Sequence, residues 1–197
     1  MTRLLIVGPQ GSGKGTQGVR IAEAFGIPVI STGDVFRSNV ADGTELGLQV
    51  KEVIDAGHLV SDELTSRVVR DRLSKEDAAG GFLLDGYPRN LPQVLHLEEF
   101  LEGRGETLDA VIALVVPREE SLERLSKRAS EQGRADDTEE AIAQRLAIYE
   151  SETAPILGVY GTRGIVDEID GVGSLDEVTE RIFSALAARG LVRSATV

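Results

Sequence analysis

The sequence predicts an α/β fold, a doubly wound parallel sheet of five strands with helices on both faces. Three observations carry that prediction. Five short apolar runs, at 3–7, 28–30, 81–84, 109–116 and 164–169, alternate with stretches of helical periodicity, the pattern of parallel strands joined by crossover helices. A glycine-rich segment, Gly8-Pro9-Gln10-Gly11-Ser12-Gly13-Lys14-Gly15-Thr16, joins the first run to the first helix. The length of 197 residues suits one domain, enough to bury about 70% of the surface of its unfolded chain without staples.

Taken in order, the first run ends in Leu4-Leu5-Ile6-Val7 and opens into a phosphate-binding loop. Its glycines let backbone N–H groups turn inward around phosphate oxygens, the following helix aims its positive end at the same anion, and Lys14 adds a mobile charge. A nucleoside triphosphate is the expected ligand, which makes the fold of the P-loop NTPase type. Ser or Thr commonly follows the Lys directly to hold Mg²⁺, whereas here Gly15 intervenes and the hydroxyl falls at Thr16. Between the second and third strands, residues 31–60 read as short helices rich in charge and glycine, inserted rather than core, and able to move over a bound ligand.

The third strand ends in a carboxylate, Gly81-Phe82-Leu83-Leu84-Asp85, the position from which an acid contacts Mg²⁺ or its water shell in phosphate-loop enzymes. Gly86-Tyr87-Pro88-Arg89-Asn90 follows, with Pro88 fixing the loop and Arg89 held near the strand ends. Arg124 and Arg128 lie four apart, on one helix face. Residues 127–137 are polar and aperiodic. Thr138 with Glu139 and Glu140 starts a helix whose Ile142, Leu146, Tyr149, Thr153, Ile156 and Tyr160 recur at spacings of four and three, with Pro155 kinking or ending it. The last helix opens on the capping box Ser174-Leu175-Asp176-Glu177, buries Leu175, Val178, Ile182 and Leu186, and stops at Gly190. The tail from Ser194 onward reads as frayed, and His96 as a surface residue of its helix.

Composition excludes several classes. A net charge of −12 argues against nucleic acid or an anionic membrane as partner. Zero cysteines remove disulfides and thiolate zinc sites, and two histidines are too few for a His-rich metal site. The apolar runs are strand-sized, so neither a signal peptide nor a membrane span is expected, and the reading is cytoplasmic. A polyanionic nucleotide binds so acidic a chain only where cations concentrate locally, which singles out the arginines.

From end to end the chain resembles the adenylate kinases, a family of nucleoside monophosphate kinases. The resemblance rests on the phosphate loop through Gln17, on Ile30-Ser31-Thr32-Gly33-Asp34-Val35-Phe36-Arg37, on Ala56-Gly57-His58-Leu59-Val60-Ser61-Asp62-Glu63-Leu64, on Phe82-Leu83-Leu84-Asp85-Gly86-Tyr87-Pro88-Arg89, on Gly133-Arg134-Ala135-Asp136-Asp137, and on Tyr149 with Thr153-Ala154-Pro155. The Gly-Thr ending of the loop is usual in that family. The resemblance implies Mg²⁺-dependent, reversible transfer between ATP and AMP to give two ADP, in the service of adenine nucleotide homeostasis and biosynthesis, by a monomer.

The resemblance further implies that Gly11, Ser12, Gly13, Lys14, Gly15 and Thr16 hold the ATP phosphates, that Arg124 lies over its adenine, that Arg128 approaches its phosphates, and that the backbone near Gly173 meets the base. Thr32 and Arg37 are implied at AMP, with the backbone of His58, Leu59 and Val60 along its base and ribose, Gln93 at its adenine, and Gly86, Tyr87, Pro88 and Arg89 beneath it. Arg134 and Arg145 match the arginines that clamp the phosphoryl group in flight. Lys14, Asp85, Arg89, Arg124, Arg134 and Arg145 form the implied catalytic set, with Mg²⁺ near Asp85 through water and phosphate and no zinc. The implied organisation is a core of 1–30, 61–126 and 138–197, an AMP-binding insertion at 31–60 and a short lid at 127–137; long-lid relatives carry a small sheet there, sometimes with a four-cysteine zinc site. Guanidinium suits such work, since its planar fork makes paired bonds to phosphate and stays charged at any working pH. Two other readings stand beside this one. A UMP/CMP kinase on the same fold is disfavoured by Thr32 and Gln93, and a GTPase-like switch by the absence of an Asn-Lys-x-Asp motif.

Overall fold

The computed structural model describes residues 1–132 and 138–194. Five strands, β1 (Thr2–Val7), β2 (Val29–Ser31), β3 (Gly81–Asp85), β4 (Ala110–Val115) and β5 (Val166–Asp170), form one sheet in the order β2-β3-β1-β4-β5. Every pairing is parallel, with Leu5 opposite Leu84 on one side of β1 and opposite Val111 on the other. The five-stranded doubly wound α/β architecture is therefore as expected. Strand bounds move by one or two residues, most at β5, where Gly164 takes φ 67 in a turn and delays the strand to Val166.

Alternation sorts the central strands into two cores. Leu4, Ile6, Leu83 and Ile112 face the helices α1 (Lys14–Phe25) and α9 (Leu175–Ala188) through Ile21, Phe25, Val178 and Ile182. Leu5, Val7, Phe82, Leu84 and Val111 face the other side, against α4 (Asp62–Leu73), α5 (Leu91–Glu102) and α8 (Ile156–Gly161) through Val69, Leu73, Leu97, Leu101, Ile156 and Tyr160. The inserted segment forms α2 (Thr32–Ala41) and α3 (Glu45–Asp55), with a small core of its own around Phe36, Val50 and Val60. Helix α6 (Arg118–Gln132) runs on through the first half of the expected lid; Arg134 and the rest of 133–137 lie outside the described residues.

Four local expectations change. The long helix is interrupted at Pro155, as expected, but leaves α-helical geometry earlier: α7 (Glu139–Ile148) passes into a π-helical turn, Tyr149–Thr153, and α8 starts afresh after Pro155. Leu175 is half exposed rather than buried, because in the first turn of α9 it faces the mouth of a cleft. His96 is half-buried, with Nδ1 2.9 Å from Ser66 Oγ, which is itself 2.8 Å from Tyr87 Oη. Ser194 is anchored, its N–H donating to Ala24 O and its hydroxyl to Phe25 O.

Candidate active site

Parallel strands end on one edge, so the loops that follow β1, β2, β3 and β5 gather there, and β1 stands where the winding of the sheet changes direction. Ligands of open α/β sheets bind at such a switch point. Here the edge carries a cleft of about 790 Å³ that runs from the phosphate loop and Gly171, Gly173 and Leu175 to Thr32, Leu59, Val60, Arg89 and Gln93.

The phosphate loop is shaped by two glycines. Gly11 has φ 81 and Gly13 φ 92, conformations that cost other residues strain. Gly13 sits at the N-cap of α1 with no side-chain cap, so the first-turn N–H groups are left to an anion. A Cβ at Gly11 would lie 2.6 Å from Ser121 O, so the loop is seated directly on α6.

Lys14 curls back over the loop, its Nζ donating to Gly8 O at 2.7 Å and Pro9 O at 2.9 Å. Burial pulls its pKa down to about 8, with Asp85 opposing and Arg89 and Arg128 adding to the fall. Asp85, at the end of β3, has its carboxyl raised by burial against the pull of Lys14, Arg89 and Arg37. Arg89 is brought down to about 10 by burial, with Asp85 again opposing. These three groups share one poorly hydrated pocket, in which a triphosphate would complement the cations and raise their pKa values again.

Arg89 is fixed along its whole length. Its Nε donates to Gly86 O at 2.7 Å, its backbone N–H to Gln93 Oε1 at 2.8 Å, and its carbonyl accepts the Thr153 hydroxyl at 2.7 Å. Gly86, at φ 77, turns the chain tightly enough for its carbonyl to accept both Arg89 and the hydroxyl of buried Thr32, at 2.8 Å. Tyr87 is buried and its peptide bond to Pro88 is cis. Arg37 pairs with Asp34 at 2.6 Å on α2, and His58, exposed, lines the cleft and donates its backbone N–H to Val53 O in the turn at the end of the insertion.

At the opposite end Arg124 bridges structures rather than lying loose. It donates to Glu120 Oε1 at 2.7 Å and to Gly171 O at 3.1 Å, joining α6 to the loop after β5. Arg128 and Arg145 line the same cleft, so Lys14, Arg37, Arg89, Arg124, Arg128 and Arg145 are brought together in a chain of net charge −12. Arg134 lies outside the described residues. Among the described residues no three acidic or histidine side chains gather into a metal cage. Asp85, with Asp34 near enough to push its carboxyl up, gives the phosphate site a sparse carboxylate set that fits Mg²⁺, which takes one or two carboxylates together with water and substrate phosphates.

Reading along the chain assigned no role to Thr153, Asn90, Asp62 or Glu120. Asn90 had a local signal, since Asn before Leu-Pro marks a helix start, and its side chain does cap α5 at Gln93 N–H. Thr153 stood in one of the motifs that carry the resemblance, but nothing in its spacing pointed to Arg89, which it reaches across the fold from the π-helical turn, an irregularity frequent at functional sites.

A phosphate loop facing an arginine-lined second pocket within one cleft defines a phosphate-loop phosphotransferase acting on nucleotides. The profile of the family described as Adenylate kinase matches residues 6–165. An adenylate kinase of Clavibacter michiganensis subsp. michiganensis is 60% identical over 191 residues, 97% of this chain and 96% of its own. Those of Kocuria rhizophila and Leifsonia xyli subsp. xyli are 56% and 58% identical, over 94% and 96% of this chain and 99% and 95% of theirs. The chain belongs to the adenylate kinase family.

Proposed function

We propose that the protein catalyses Mg²⁺-dependent, reversible phosphoryl transfer, ATP + AMP ⇌ 2 ADP, and so balances the adenine nucleotides. The observation that carries this reading is the single cleft with a phosphate loop at one end, the Thr32, Arg89 and Gln93 cluster at the other, and six Lys or Arg side chains along it. ATP takes the phosphate loop, with Gly11, Ser12, Gly13, Gly15 and Thr16 around its phosphates and its base between Arg124 and the Gly173 turn. AMP takes the far end, its phosphate between Arg37 and Arg89, and its base and ribose beside Thr32, the His58, Leu59 and Val60 backbone, the Gly86, Tyr87 and Pro88 turn, and Gln93.

The AMP phosphate is already a nucleophile, so no strong base is needed; positioning and cationic stabilisation supply the rate. Lys14 follows the charge of the transferred group, with Arg89, Arg128, Arg134 and Arg145 around it. Bound Mg²⁺ would neutralise phosphate charge, with Asp85 holding its water shell. Closure of 31–60 and 127–137 over the 1–30, 61–126 and 138–197 core excludes water, so that AMP and not water receives the group. The reading includes a cytoplasmic monomer that takes no zinc, nucleic acid or membrane partner; among the described residues no helix is long and apolar enough to cross a membrane.

The test is a coupled assay of ADP formation from Mg-ATP with AMP, UMP, CMP or GMP as acceptor. AMP should be far preferred. Equal turnover of UMP would overturn the substrate assignment, and no turnover with any acceptor would overturn the reaction.

A further inference from the structure

Gln93 is 1% exposed, and both ends of its amide are committed. Oε1 accepts the Arg89 backbone N–H at 2.8 Å, and Nε2 donates to Asp62 Oδ1 at 2.8 Å. The same Asp62 oxygen accepts from Asn90 Nδ2 at 2.8 Å, while Asn90 Oδ1 accepts the Gln93 backbone N–H at 3.0 Å. Asp62, in the first turn of α4, and Asn90, at the start of α5, thus bind two helix starts to one amide.

The polarity of those partners permits one orientation. A backbone N–H only donates and a carboxylate accepts, so the reversed amide would set NH₂ against N–H and carbonyl against carboxylate. Each unpaired buried polar end would cost a substantial part of its desolvation energy. In the orientation that remains, Oε1 keeps one lone pair and Nε2 one hydrogen, and Gln93 lines the AMP end of the cleft.

Taking Gln93 to meet the acceptor base, as in the function proposed above, we infer that Asp62 is a positioning residue for base selectivity: it fixes the amide of Gln93 in the sense that matches adenine. Adenine offers an amino donor at C6 and a ring acceptor at N1, which pair with the unused lone pair and hydrogen. Hypoxanthine reverses both, with a carbonyl at C6 and N1–H, and would need the flipped amide. Asp62 does this without lining the cleft or touching the nucleotide.

The test compares wild-type enzyme with Asp62→Ala, Asp62→Ser and Asp62→Asn, using AMP and inosine monophosphate as alternative acceptors at saturating Mg-ATP. Serine suits a helix start but is too short to reach the amide, so it serves if the alanine variant does not fold. Both should lower the AMP-to-IMP ratio of kcat/KM by about tenfold or more, the scale of one hydrogen bond to a charged acceptor, mainly through KM for AMP. Asparagine keeps an acceptor oxygen and should preserve most of the ratio, and ATP affinity by calorimetry should stay within about twofold throughout. A wild-type preference for AMP that survives Asp62→Ala or Asp62→Ser unchanged, or is lost equally in Asp62→Asn, overturns the inference alone. A wild-type enzyme that does not favour AMP overturns the reading beneath it, and the inference too.

Discussion

Replacing Gly11 with alanine tests how the phosphate loop is held. The residue sits at φ 81, and its new Cβ would lie 2.6 Å from Ser121 O and 3.0 Å from Leu125 Cγ. The left-handed backbone costs alanine roughly 1–2 kcal/mol, and pressing a methyl group against the α6 backbone adds roughly 1–3 kcal/mol. In a chain of this size that lowers Tm by roughly 4–20 °C. Gly13→Ala is the control, since at φ 92 it carries the backbone strain but its Cβ meets no atom within 4 Å. It should lose about half as much or less in the ligand-free protein. Relief of the Gly11 clash must move α6, and with it Arg124 and Arg128, or flatten the loop. Either way ATP affinity, measured by calorimetry, should fall more than about tenfold while AMP affinity stays within about twofold. Equal melting temperatures for the two variants, or unchanged ATP affinity in Gly11→Ala, would refute the claim that the loop is seated on α6.

Lys14→Met should lower turnover by roughly 10³-fold or more, on the order of 4 kcal/mol of transition-state stabilisation, as read in the coupled assay; retained activity would make the lysine structural. Burial sets its free-state pKa at about 8, and bound phosphates raise it, so ATP binding should take up a proton above pH 8 and weaken as pH rises through that value, which calorimetry across pH 7–9.5 would reveal. The same depression means that the native state holds fewer protons than the unfolded chain between pH 8 and the ordinary lysine value of 10.5, so this group's contribution to ligand-free stability rises with pH across that window. Arg89→Lys should impair turnover nearly as much as Arg89→Ala, because an ammonium keeps the charge but loses the paired geometry; a well-tolerated lysine would show that charge alone suffices.

Much of the site was legible because it is local in sequence. Gly11, Gly13 and Lys14 follow β1 directly, and Asp85 and Arg89 lie within five residues at the end of β3, so strand prediction places them on the same edge. What stayed hidden depends on pairings between distant segments. Asp62 reaches Gln93 across 31 residues and Thr153 reaches Arg89 across 64, and neither spacing has a periodic signature. The π-helical turn escaped because Tyr149 and Thr153 fit an uninterrupted helical stripe. Leu175 was misplaced for a related reason, since the capping box fixes where α9 begins but not that its first apolar residue faces the cleft.

The central claim is that one cleft holds two nucleotides at once. Calorimetric titration of AMP into protein saturated with a non-hydrolysable ATP analogue and Mg²⁺ tests it most directly. The account predicts one AMP bound per chain with affinity equal to or higher than in the absence of the analogue, because it assigns the two nucleotides to opposite ends of a cleft whose arginines both would share. Competition, with AMP binding abolished by the analogue, would mean a single nucleotide site and would contradict it.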